Sequence, residues 1–169
     1  TYEIISGFSW FSPDRGNILF LVYPTIGIIL SVMLVKYFIK DDLSHGVSKV
    51  MYSLSRKNGK LKFHHCWSSV ITSSITVAFG GSVGLEAPIV LTCSAIGSNI
   101  SRFFRISRKH AITLLACGAA GAIAGVFKAP IAGVLFVFEV LMIDLTMTVA
   151  TPLLLSALTS ALLSYFFFG

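Results

Sequence analysis

One carboxylate set among glycines is the feature of this chain with most chemical potential. Gly80-Gly81-Ser82-Val83-Gly84-Leu85-Glu86-Ala87-Pro88 carries Glu86 through a turn of small residues between two long apolar stretches. Pro88 suits the first turn of a helix, where its missing N–H has no bond to make, so a helix is expected to begin at about Glu86. The leading N–H groups of a helix lack intrahelical partners and carry the positive end of its dipole. Such a point attracts anions, and Glu86 is an anion already tethered there. An acid that merely caps a helix is the ordinary reading in a water-soluble chain. The apolar flanks argue for function instead, because an ionisable group in membrane-spanning sequence costs about 2.5 to 3.5 kcal/mol on insertion scales. Gly80, Gly81, Ser82 and Gly84 permit left-handed dihedrals and close backbone approach, which an irregular turn buried at membrane depth requires.

A second stretch offers related chemistry. Leu43-Ser44-His45-Gly46-Val47-Ser48-Lys49-Val50-Met51-Tyr52 is too short and polar to span a bilayer and reads as re-entrant or interfacial. Ser44 supplies an N-cap hydroxyl, and the backbone N–H groups of Ser44, His45 and Gly46 could be aimed at an anion. His45 taken alone would be an ordinary loop histidine. Other chemistries are poorly supplied. Cys66, Cys93 and Cys117 lack metal-type or paired spacing and read as small packing residues, while His64 and His65 are most simply interfacial. An enzyme using Glu86 with His45, or with His64 and His65, would have no nucleophile or metal-ligand spacing beside it. No enzyme activity, metal or cofactor is therefore expected.

The elements that must position these groups are membrane helices. Hydrophobic residues make up 55% of the 169 and charged residues 12%, with a mean hydropathy of +0.85, which excludes an ordinary soluble domain. Several windows of about 18 to 23 residues are nearly free of charge, enough to cross a hydrocarbon core of about 30 Å. Residues 1 to 16, with Ser12-Pro13-Asp14-Arg15-Gly16, read as an interfacial loop. Apolar segments follow at residues 17 to about 39, 63 to about 80, 86 or 87 to about 104, about 106 to 126, and 148 to 168. The net charge of +6 resides between them. Lys36 and Lys40; Lys49, Arg56, Lys57, Lys60 and Lys62 in a basic loop; and Arg102, Arg105, Arg108 and Lys109 mark cytoplasmic ends, with no RNA-type basic and aromatic motif and so no nucleic-acid partner.

Serines and threonines from Ser68 to Thr76 predict a helix buried among others, and Gly121 and Gly125, near Gly118, predict a close helix crossing. Phe127-Lys128-Ala129-Pro130 breaks the pattern, and Pro130 restarts a helix reaching Glu139, roughly ten residues and too short to span. Short and interrupted helices of this kind belong to transporters and channels, whose half-helices point their ends at a site near the midplane. The chain reads as a multi-pass integral membrane protein of a cell or inner membrane, surrounded by lipid. Its abrupt start at Thr1 and its apolar end at Phe168 read as those of a fragment.

Three motifs carry a family likeness. Gly84-Leu85-Glu86-Ala87-Pro88 resembles the Gly-Lys/Arg-Glu-Gly-Pro motif of the CLC chloride channels and chloride/proton antiporters. The run from Thr113 to Glu139, with Phe127-Lys128-Ala129-Pro130-Ile131-Ala132-Gly133-Val134-Leu135-Phe136 inside it, looks like that family's next helix pair and its Phe-x-Ala-Pro-x-Ala-Gly-x-Leu-Phe core. Ser44-His45-Gly46-Val47-Ser48 is similar to a degraded Gly-Ser-Gly-Ile-Pro loop. All three agree in order and spacing.

The resemblance implies an all-α, CLC-like bundle of tilted, broken and re-entrant helices. Residues 1–169 would form the first half of a CLC-type transmembrane domain, one half of an inverted repeat, with the second half absent. It implies chloride as the transported ligand, a homodimer with one pathway per subunit, and Glu86 as a gating glutamate that occupies an anion site when charged and swings away when protonated. Ser44, His45, Gly46, Leu85, Glu86 and Ala87 would line the anion-binding positions. Departures shape the expectation. His45 stands at the usual coordinating serine, Ser48 at the loop proline, Leu85 at the basic residue beside the gate, and Ala87 at glycine. Glu139 takes the first of two positions where antiporters often have paired acids, and Val140 takes the second, the inner proton-transfer position. Valine carries no proton, so channel-like conduction is expected, with a chloride/proton antiporter or a degenerate non-conducting homologue as alternatives.

Overall fold

A computed structural model describes residues 18–39, 46–56, 59, 61–82, 84–143 and 146–168. Among them the regular structure is entirely helical. The helices are α1 (Ile18–Leu34), continued by a π-helical stretch Val35–Ile39, α2 (Gly46–Arg56), α3 (His65–Ala78), α4 (Glu86–Phe103), α5 (Arg108–Phe127), α6 (Pro130–Val140) and α7 (Met147–Phe168). The chain divides into two compact units, Thr1–Asp42 with Ile71–Val83 and Leu43–Val70 with Gly84–Gly169.

In the first unit a hydroxyl pair joins α1 to the later part of α3. Thr76 Oγ1 donates to the carbonyl of Thr72 at 3.0 Å and lies 2.9 Å from Ser31 Oγ. The single Thr76 proton is thereby committed, so Ser31 is the donor between the two side chains. Both residues are buried, and this is the cross-bonding expected of the serine- and threonine-rich helix. The small-residue turn after α3 uses its glycines for different ends. Gly80 has φ +80°, whereas a Cβ on Gly81 would stand 2.7 Å from Thr76 Cγ2. The left-handed dihedral is thus needed at one glycine and close approach at the other.

The second unit is organised around α5, which packs against α4, α6 and α7, while α2 packs against α4. Leu115, Ala116, Ala119, Ala120, Ile123 and Ala124 of α5 are buried. Lipid tails are as apolar as leucine, so membrane helices gain by fitting closely rather than by leaving water. Glycine and alanine give α5 that fit on several sides. A Cβ on Gly118 would strike the carbonyl of Cys93 on α4. Gly121 and Gly125 instead face α7 at Ser156 and Ser160, whose hydroxyls donate to the carbonyls of Cys117 at 2.8 Å and Gly121 at 2.7 Å. The close crossing predicted from the glycine spacing is present, and its partner is α7. At the other end of that pair, Lys128 Nζ donates to the carbonyl of Phe168 at 3.1 Å and lies 4.9 Å from the centre of the Tyr165 ring.

Helices α5 and α7 are long and apolar enough to cross a membrane, and α6 is an apolar helix too short to do so. Pro130 opens α6 at its first position, as its fixed φ and missing donor favour. One expectation needs correction. Lys49 and Arg56 belong to α2 rather than to a basic loop; Val50 and Ser53 on its buried face extend the helix through sequence that local polarity read as irregular. Ser44 and His45, like residues 1–16, fall outside the described residues.

Candidate functional site

Helix α4 begins on Glu86, as the turn and Pro88 predict, with Leu85 as N-cap at φ −83°, ψ −10° and no side-chain cap. The first bond into the helix runs from Ile89 N–H to the Leu85 carbonyl at 3.1 Å, and Pro88 has no donor. Among the described residues the N–H groups of Glu86 and Ala87 have no acceptor, and they are the donors that an anion could use. The Glu86 carboxylate folds back over the turn, since a Cβ on Gly84 would stand 2.7 Å from Oε2. Gly84, Leu85 and Glu86 are exposed, and Ala87 and Pro88 half-buried. The sequence reading placed Glu86 among apolar surroundings; within this chain it accepts no hydrogen bond from a described residue and is open. Closure of such a site would have to come from outside the described residues.

The remaining sequence-expected positions are less gathered. Gly46 starts α2, in the same compact unit as the start of α4. Glu139 and Val140 are the last two residues of α6; Glu139 is exposed, Val140 half-buried, and no hydrogen bond or ion pair joins Glu139 to Glu86.

The opposite end of α4 holds a construction that sequence reasoning took only as a topology signal. Ser98 is buried; it donates to the Gly59 carbonyl at 2.6 Å and accepts from Leu61 N–H at 2.9 Å. Arg102 Nη2 donates to the Leu61 carbonyl at 2.7 Å. Three bonds thus tie the turn ahead of α3 to the last turns of α4. The helix closes with Ile106 N–H on the Ser101 carbonyl at 2.9 Å and Arg105 N–H on that of Arg102 at 3.2 Å, a paired C-cap that puts Arg105 at φ +50°, where glycine is usual. A pocket of about 380 Å³ opens there, with Arg102, Arg105 and Arg108 on its wall beside Ser98 and Ser101. The signal available in the sequence was the three-residue spacing of these arginines across a helix end.

Helices held together by small residues and serine hydroxyls, two of them of membrane-spanning length, fit the class of helical membrane proteins. A family model described as voltage gated chloride channel matches residues 27–169, and the chain belongs to that family, the CLC proteins. It is 33% identical over 153 residues to a putative chloride channel protein ClcB-like of Ralstonia nicotianae, covering 88% of this chain and 36% of that protein. It is 26% identical over 146 residues to the voltage-gated ClC-type chloride channel ClcB of Escherichia coli, covering 85% and 34%. The chain therefore spans about a third of the length of these curated relatives. No solved structure matches it.

Proposed function

We propose that this chain forms the first half of a chloride-conducting CLC transmembrane domain, with Glu86 as the gate of the anion pathway. The observation that carries the reading is that α4 starts on Glu86 itself, so the carboxylate and the uncapped amides share one point. A permeating chloride and the ionised carboxylate then compete for the same donors. Protonation removes the side chain's claim, and the amides are left to the halide. Ser44, His45 and Gly46 at the entry to α2 would supply a second set of donors, His45 through an imidazole N–H. Leu85 adds no positive charge at the mouth. Membership of the family and the names of the relatives support chloride as the ligand; no cofactor is proposed.

Conduction is read as channel-like, because Val140 cannot relay a proton at the inner end of α6. The whole protein is proposed to be a multi-pass homodimer in a cell or inner membrane. The test is anion flux from liposomes containing the full-length protein. Glu86→Gln and Glu86→Ala should alter flux and abolish its pH dependence; unchanged flux in both overturns the assignment. Proton movement driven by a chloride gradient would establish antiport and refute the role given to Val140.

A further inference from the structure

The arginine pocket at the end of α4 adjoins an apolar groove, and Arg102 lines both. The groove, about 810 Å³, runs between α3 and α4 and is walled by Phe63, Trp67, Ile96, Ile100, Phe103 and Phe104. Its aromatic rim is open, with Trp67 66% and Phe103 82% exposed. Phe103 and Phe104 pack edge to face with ring centres 5.3 Å apart, forming a lip beside the arginines.

Nothing in the described part of the chain neutralises this pocket. Among the described residues, Arg105 and Arg108 have no carboxylate within ion-pair reach, and Arg102 is bound to a carbonyl. Glu86, on the same helix, lies at its opposite end, about 25 Å away at 1.5 Å per residue. The start of α5 adds to the positive potential: the Ser107 hydroxyl is engaged with His110 Nδ1 at 2.8 Å and caps no first-turn amide. A cationic pocket opening into an apolar, aromatic-rimmed groove matches one kind of molecule, with a phosphate at one end and hydrocarbon at the other. Arginine forks pair with phosphate oxygens, aromatic rings settle at the headgroup level of a bilayer, and basic pockets between membrane helices on the cytoplasmic side hold anionic headgroups.

We propose that the α4–α5 turn is a binding site for one anionic phospholipid, its phosphate among Arg102, Arg105 and Arg108 and an acyl chain in the groove against Trp67 and Phe103. The site is separate from the anion pathway at Glu86. It holds the lipid to the turn whose bonds fix α3 to α4, so a bound lipid adds a further tie at that end.

The test uses the full-length protein, delipidated in detergent, exposed to phosphatidylglycerol or phosphatidylcholine vesicles and examined by native mass spectrometry. Phosphatidylglycerol should be retained in preference to phosphatidylcholine, at one molecule per chain. Arg105→Gly with Arg108→Gln removes two charge-assisted contacts and should lower that retention by about tenfold or more. Arg105→Gly also relieves the left-handed backbone, so an unchanged or raised unfolding temperature separates loss of the site from loss of the fold. Phe103→Ser should weaken lipid retention while leaving the arginines in place, and inorganic phosphate alone should compete poorly. Equal retention of both lipids, retention unaffected by the double substitution, or full displacement by inorganic phosphate overturns the proposal. So does an absence of retained lipid because another part of the protein fills the groove.

Discussion

At its first residue α4 presents a lone carboxylate, exposed and without a hydrogen-bond partner among the described residues; at its last turns Ser98 and Arg102 hold the 59–61 turn through three bonds. The difference separates holding from exchanging. Under the proposed function, the amides at the start of α4 are offered to a mobile ion and do not fix the helix, whose direction is then set elsewhere. The buried Ser98 hydroxyl and the Arg102 guanidinium at the far end do so, together with the glycine-mediated fit to α5.

The largest effect should fall on the free end. Glu86→Gln leaves an uncharged isostere that no longer competes as an anion, and chloride flux of the full-length protein should lose its pH dependence altogether; a surviving pH dependence would erase the functional side of the comparison. Between the two ends, Gly118→Leu pushes a side chain into the carbonyl of Cys93 and should cost about 3 kcal/mol through overpacking, read as a lower unfolding temperature in detergent. Little change there would mean that contact with α5 does not set the course of α4. At the held end, Ser98→Ala leaves the Leu61 N–H and Gly59 carbonyl without their partner, at a cost of about 2 kcal/mol. An effect equal to that of an exposed serine, such as Ser82→Ala, would show that the clamp contributes nothing. The smallest effect has the opposite sign. Arg105→Gly frees a non-glycine residue from φ +50° and should stabilise the protein by about 1 kcal/mol; a loss of stability would mean that the guanidinium supports the fold directly.

Much of the fold was legible because helix ends are local events. Pro88 and Pro130 each lie in the first turn of the helix they were expected to open, since a missing N–H and a fixed φ act within that turn. Gly121 and Gly125 announced a close crossing because four residues make about one helical turn. Local reading failed where partners are remote. Local polarity around Lys49 and Arg56 suggested a loop, and packing of Val50 and Ser53 made it helix. Arg102, Arg105 and Arg108 were a charge count until the chain end of α4 brought them around one pocket.

Residue types and spacing along the chain settled where helices start, which faces are small and that an acid stands at a helix start, because hydrogen bonds four residues apart and proline geometry need no distant partner. Folding alone selected α4 as the neighbour of Gly118 and α7 as that of Gly121, joined Ser98 to Leu61 across 37 positions, and left Glu86 open. Those outcomes depend on which surfaces meet in space, and among helices that are mostly apolar, close steric fit and a few buried hydroxyl bonds make that choice.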